Sequence, residues 1–306
     1  MPRHYLHISD HTPESFQALL DLALKLKAEW RNGGNAPVLK GKILGMVFQK
    51  PSLRTRVSFD VAMRQLGGDA LYLSPAEIGL GGREAVCDVA RVLSRYVNGI
   101  MARVFAHDHI LELAQYASVP VINGLSDYNH PCQGLADLLT VLEHKGRVKG
   151  LRIAYVGDGF NVATSLWAGC ALLGANFLIA SPKGYELRET SITPSQAAAA
   201  QTGATITLTT DPRAAVEGAD VIYTDTWTSM GQESEAAERR KAFDGFQVNQ
   251  QLLSLANPDA IVLHCLPAHR GEEITDEVMD GPQSAIFDQA ENRLHAQKAV
   301  LADLMG

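Results

Sequence analysis

Ser52-Leu53-Arg54-Thr55-Arg56 packs two hydroxyls and two guanidiniums into five residues. The run follows an apolar stretch ending at Phe48 that reads as a strand. It precedes Val57, Val61 and Leu66 at helical spacing. Ser52 therefore falls at an N-cap, with Thr55 three residues on. A helix N-terminus offers unpaired N–H groups and partial positive charge, and arginine forks match phosphate oxygens. The expected chemistry is a phosphate cradle; the plainer alternative is an N-cap flanked by solvated arginines. Arg103 ends another strand-like run, where ligands collect in open α/β sheets. His130 and Gln133, in His130-Pro131-Cys132-Gln133, sit at the start of a helical pattern containing Asp137. Such a pair can polarise a carbonyl and bind an amide. Arg293, early in the last helical pattern, can supply another guanidinium.

A second group lies further along. Val156-Gly157-Asp158-Gly159-Phe160-Asn161 follows a strand-like run and opens a helix. A dinucleotide reading, with an NAD-dependent oxidoreductase as its consequence, is weak here: Val162 holds the third glycine position, and Ser181-Pro182, not an acid, follows the next strand. The turn is expected to present Asn161 to a substrate instead. In Asp225-Thr226-Trp227-Thr228-Ser229-Met230-Gly231, Asp225 can hold an ammonium. Backbone N–H groups at Ser229, Met230 and Gly231 can meet a carboxylate. The pairing suits a zwitterionic α-amino acid. His264-Cys265-Leu266-Pro267 puts Cys265 at a strand end before a sharp turn that a cis proline would suit. His264, Cys265 and His269 match no standard zinc spacing, so no metal is expected.

The elements that must position these groups alternate. Expected strands are Ile43–Phe48, Ala70–Leu73, Gly99–Arg103, Pro120–Asn123, Arg152–Val156, Asn176–Ala180, Thr205–Thr209, Asp220–Asp225, Ala260–Cys265 and Ala285–Asp288. Helical patterns between most of them include Pro13–Arg31, Leu53–Leu66, Glu84–Val97, Cys132–Glu143, Asn161–Leu173 and Ala290–Leu304. That alternation predicts an α/β protein with parallel sheets flanked by helices. At 306 residues the chain suits two such domains. The charged, Gly-bounded joint at 144–150 puts their boundary at 148/149, the second domain running to 288 and residues 289–306 forming a helix that crosses back.

A net charge of −7 argues against wrapping nucleic acid, and 46% apolar with 20% charged residues is ordinary globular composition. No apolar run is long enough to span a membrane. Met1-Pro2-Arg3-His4-Tyr5 lacks a secretory h-region, and the four cysteines form no CxxC pair. Reduced thiols in the cytoplasm are expected.

Ser-x-Arg-Thr-Arg, His-Pro-Cys-Gln, Asp-x-x-x-Ser-Met-Gly and His-Cys-Leu-Pro occur in that order across nearly the whole chain. The combination resembles the aspartate/ornithine carbamoyltransferase family, with Ser-Met-Gly and His-Cys-Leu-Pro pointing to its ornithine branch. The resemblance implies two doubly wound domains with the active site in the cleft between them. The first, 1–148, would bind carbamoyl phosphate, and the second, 149–288, ornithine. Ser52, Leu53, Arg54, Thr55, Arg103, His130, Gln133 and Arg293 would contact carbamoyl phosphate, with Cys265 and Leu266 adding main-chain groups. Asn161, Asp225, Ser229 and Met230 would bind ornithine. Arg103, His130 and Cys265 would be the catalytic side chains. The family further implies homotrimers or multiples of trimers, citrulline and phosphate as products, a place in arginine biosynthesis and no cofactor. This chain departs from the family where Leu53 replaces a usual threonine and Gly79 a frequent glutamine.

Other acceptors fit less well. Aspartate needs additional cations, and Asp225 would repel it. Putrescine lacks the carboxylate, and N-acetylornithine the free α-ammonium. Lysine stays open as a homologue. A non-catalytic carbamoyl phosphate-binding paralogue is the alternative from another class.

Overall fold

The computed structural model describes residues 3–229 and 231–306. The chain divides into two compact units: one runs through Leu135 and resumes at Arg293–Gly306, and the other is Ala136–Asn292. Both divisions fall inside helices, Pro131–Lys145 and Ile286–Met305. A helix crossing a boundary keeps its periodicity, so composition carries no mark there; composition marks instead the charged joint at 144–150.

In the first unit, β1 (Ile43–Phe48), β2 (Asp69–Leu73), β3 (Gly99–Arg103) and β4 (Val121–Leu125) form a parallel sheet ordered β2-β1-β3-β4. Phe48 pairs with Arg103, so the loops after β1 and β3 leave one edge side by side. Because β1 connects to β2 on its other flank, these loops diverge, and the gap is the crevice where ligands bind in such sheets. Every residue of β3 and β4 is buried, as expected of strands covered on both faces. Val47, Val89, Ile100, Ile110 and Val121 are among the apolar residues that close the core.

The second unit repeats the plan. β5 (Arg152–Val156), β6 (Asn176–Ala180), β7 (Ile206–Thr209), β8 (Val221–Thr224) and β9 (Ile261–His264) are parallel and ordered β7-β6-β5-β8-β9. Its divergence point lies between β5 and β8, whose last residues, Val156 and Thr224, pair. Helix Asn161–Leu173 follows β5 and is buried along nearly its whole length.

The expected strand Ala285–Asp288 is corrected. Ser284 bridges Val262 and the Ala285 N–H donates to the Val262 carbonyl, but Ile286 opens the twenty-residue helix Ile286–Met305. The apolar run Ala-Ile-Phe misled the reading: Ile286 is buried and Phe287 exposed. With Gln289, Asn292, Arg293 and Ala296 also buried, the period is helical. Helices Pro13–Arg31 and Asn161–Leu173 keep their expected bounds, whereas Glu84–Val97 contracts to Val86–Leu93.

Candidate active site

The first half-site is built on the helix Leu53–Gln65 that follows β1. Ser52 caps it: its Oγ accepts the Thr55 N–H at 3.3 Å and donates to Thr55 Oγ1 at 3.1 Å. Thr55 is fully buried, and its hydroxyl oxygen also accepts from Arg103 Nη1 at 3.5 Å and Arg293 Nη2 at 3.0 Å. Two guanidiniums therefore converge on one hydroxyl beside a helix N-terminus. Two guanidinium forks beside a helix N-terminus suit a bound anion such as phosphate. Arg103 is carried by β3, whose carbonyl at that residue accepts the Gln49 N–H at 2.8 Å. Arg293 comes from the C-terminal helix, whose last residues belong to this unit.

His130 and Gln133 stand at the start of helix Pro131–Lys145, both buried. Burial, then the charges of Arg293 and Arg103, hold the His130 imidazole well below its ordinary range. It is neutral at pH 7, able to hydrogen-bond a carbonyl without adding a third cation. Leu53 is 76% exposed on the first turn, and Arg54 is partly exposed. Arg56 belongs elsewhere: its guanidinium lies 4.1 Å from the centre of the Tyr72 ring. Gly79 ends the short helix Pro75–Ile78 with φ +52, where a Cβ would meet the Arg83 Cβ at 2.7 Å. Glycine thus serves the backbone at this helix end.

The second half-site collects after β5, β8 and β9. Asn161 is the first residue of helix Asn161–Leu173 and is buried. Gly159 of the preceding turn lets the Leu187 backbone approach, since a Cβ would come within 2.2 Å of that nitrogen. Packing thereby accounts for the second glycine of the Gly-x-Gly pair. Asp225 follows β8; its Oδ1 accepts from the Thr226 N–H at 2.8 Å and the Cys265 thiol at 3.0 Å. Burial pushes its carboxyl up, which those two donors oppose. A cationic partner would complete the neutralisation. Ser229 is partly exposed, and its N–H donates to Gln232 Oε1 at 3.1 Å. Met230 lies outside the described residues.

The turn after β9 is fixed from below. His264 and Glu273 are fully buried, with His264 Nε2 3.0 Å from Glu273 Oε1. His264 Nδ1 accepts the Leu266 N–H at 2.9 Å, which assigns the proton to Nε2. Leu266 takes φ +59, a region leucine rarely enters, and the Leu266–Pro267 bond is cis. Asp225, His264 and Cys265 offer ligand atoms within 4.8 Å of one another, but both His264 nitrogens are already engaged.

Reasoning from sequence missed Glu273 and Arg239. Neither sits in a motif: Arg239 meets Asp158 from 81 residues away, and Glu273 meets His264 across the turn after β9.

Comparison with known proteins gives the family. The carbamoyl-P binding domain of aspartate/ornithine carbamoyltransferases matches residues 3–143, and their Asp/Orn binding domain matches residues 149–304. The chain belongs to the aspartate/ornithine carbamoyltransferase family and is a carbamoyltransferase. An ornithine carbamoyltransferase of Thermococcus kodakarensis is 57% identical over 304 residues, 99% of this chain and 96% of that protein. The solved ornithine carbamoyltransferase of Pyrococcus furiosus superposes with TM-score 0.97 at 55% identity, covering 100% of this chain and 97% of that one. An acetylornithine transcarbamylase complexed with acetylcitrulline gives TM-score 0.87 at 32% identity, covering 99% of each chain.

Proposed function

We propose that the protein is an ornithine carbamoyltransferase, converting carbamoyl phosphate and L-ornithine to L-citrulline and phosphate. The observation that carries this is the buried Thr55 hydroxyl shared by Arg103 and Arg293 under the Ser52 cap. Ser52, the Leu53 backbone, Arg54, Thr55, Arg103 and Arg293 hold the phosphate. His130, Gln133 and the main chain of Cys265 and Leu266 address the carbamoyl group. Asn161, Asp225, Ser229 and Met230 take the amino-acid end of ornithine, Asp225 pairing with its α-ammonium.

The reaction is attack of the neutral δ-amine on the carbonyl carbon. A lysine-like amine ionises near ~10.4, so deprotonation at pH 7 costs roughly 4 kcal/mol, which a desolvating pocket offsets in part. Arg103, neutral His130 and Thr55 stabilise the tetrahedral oxyanion. The C–O bond to phosphate then breaks, and Arg54, Arg293 and the helix N-terminus hold the departing dianion. The amine proton passes to the departing phosphate, which thereby leaves as the dianion. The chemistry calls for no metal or organic cofactor.

We propose a homotrimer, or a multiple of one, the assembly that the family resemblance implies. Among the described residues no helix is long and apolar enough to cross a membrane, in keeping with a cytoplasmic enzyme. A Pyrococcus furiosus relative, 55% identical, is described as anabolic, which favours the biosynthetic direction. The second reading, N-acetylornithine as acceptor, is favoured by the acetylornithine transcarbamylase neighbour. Asp225 weighs against it, because acetylation removes the ammonium it would pair. Assaying ureido product with ornithine and N-acetylornithine separates the two: citrulline is expected with the first and only trace product with the second.

A further inference from the structure

The amino-acid half-site rests on a guanidinium that the reaction itself does not use. Arg239, in helix Ala236–Ala242, is 6% exposed. Its Nη1 donates to Asp158 Oδ2 at 2.6 Å and to the Trp227 carbonyl at 3.0 Å, and its Nε donates to Glu235 Oε2 at 3.0 Å. The guanidinium carbon lies 4.9 Å from the centre of the Tyr185 ring, whose residue accepts the Gly159 N–H through its carbonyl. Asp158 belongs to the β5 turn that delivers Asn161. Trp227 belongs to the loop after β8 that delivers Asp225 and Ser229. One nitrogen thus joins the two backbones that carry the proposed ornithine contacts.

We propose that Arg239 is a positioning residue that fixes the separation of Asn161 from Asp225 and thereby sets affinity for the acceptor amino acid. The proposal rests on the ornithine reading above. Geometry favours arginine: a planar fork reaches a carboxylate, a carbonyl and a second carboxylate at once, which an ammonium on a flexible stem does not. The two carboxylates are unequal. The Asp158 side chain is 12% exposed and that of Glu235 is 52% exposed. The Asp158 arm is shielded and charge-assisted, whereas the Glu235 arm is screened by water. Burial pushes the Asp158 carboxyl up and the Arg239 guanidinium pulls against it. Losing either partner leaves the other buried without its counter-charge.

The test is steady-state kinetics of the full-length wild type and Asp158→Asn, Arg239→Lys, Arg239→Met and Glu235→Gln, each substrate varied in turn, with a thermal melt of each. Asp158→Asn and Arg239→Met should raise KM for ornithine about tenfold or more, with kcat falling less and KM for carbamoyl phosphate within about twofold. Arg239→Lys should lie between wild type and Arg239→Met, and Glu235→Gln should stay within about twofold of wild type. The double variant Asp158→Asn/Arg239→Met should be no worse than its worse parent. A merely structural pair would lower the melting temperature and the active fraction while leaving ornithine KM at its wild-type value, and that result overturns the proposal. So would equal shifts in both substrates' KM, or an effect of Glu235→Gln matching that of Asp158→Asn. The Asn replacement keeps shape, so the pair is tested even where Arg239→Met fails to fold. A wild type that makes no citrulline refutes the ornithine reading instead, before any variant is compared.

Discussion

The two half-sites stand at the same place in two similar sheets, yet they are made of different material. Between β1 and β3 the ligand groups are buried side chains on regular elements: Thr55 on a helix, Arg103 on a strand, Arg293 on a second helix. After β5, β8 and β9 they are mostly on loops, with Asp225 and Ser229 partly exposed and the Cys265 turn braced by His264 and Glu273. The difference follows from the ligands proposed. Phosphate is a compact anion of fixed geometry, so rigid forks and a helix terminus serve it before it arrives. An amino acid with a reactive amine needs one end gripped and the other desolvated, which groups converging from several strand ends can supply.

Replacing Arg103 by Ala would test the rigid side most severely. Turnover should fall by roughly 10²–10³, the usual loss for an oxyanion donor, with ornithine KM little changed. A near-normal kcat would remove Arg103 from the chemistry. On the loop side, Asp225→Asn should raise ornithine KM by about 10- to 100-fold, the worth of a charge-assisted hydrogen bond, while carbamoyl phosphate binding holds. If both substrates weakened together, the division of labour would be wrong.

Acid should also separate the units. Burial lowers His107 to about 4 and lowers His7 and His130, and all three belong to the first unit. Unfolded histidines take up protons near ~6.5, so stability carried by these groups is present above that value and lost as pH falls toward their folded values. In the second unit, burial raises Asp158 and Asp225. Their contribution has the opposite sign: it is present below the ordinary carboxylate range and lost as pH rises through their raised values. Hydrogen exchange from pH 7 to pH 4 should therefore show protection falling in β1–β4 before β5–β9; simultaneous loss would contradict the assignment. The smallest effect is expected from Leu53→Thr, within about threefold on carbamoyl phosphate KM, because the exposed side chain leaves the backbone N–H in place.

Much of the rigid half was legible in the sequence. Ser52, Thr55 and Arg103 announce themselves because a cap and a strand end are local events. The alternation of strands and helices gave both sheets, and Pro13–Arg31 could be read to its ends from Thr12-Pro13 and its amphipathic period. The loop half was legible only in its motifs. That Arg239 reaches Asp158, or Glu273 reaches His264, depends on how the β5 and β9 turns pack, and no spacing encodes it. Ala285–Asp288 was misread because a short apolar run fits a strand and a helix start equally well.

The central claim is that one half holds carbamoyl phosphate and the other grips a free α-amino acid. The most direct test mixes the purified protein with carbamoyl phosphate and, separately, ornithine, lysine, putrescine, N-acetylornithine and aspartate, measuring phosphate and ureido product in each. Citrulline from ornithine with little product elsewhere is the expected result. Binding of carbamoyl phosphate without product from any amine would contradict it and leave a non-catalytic binding protein in its place.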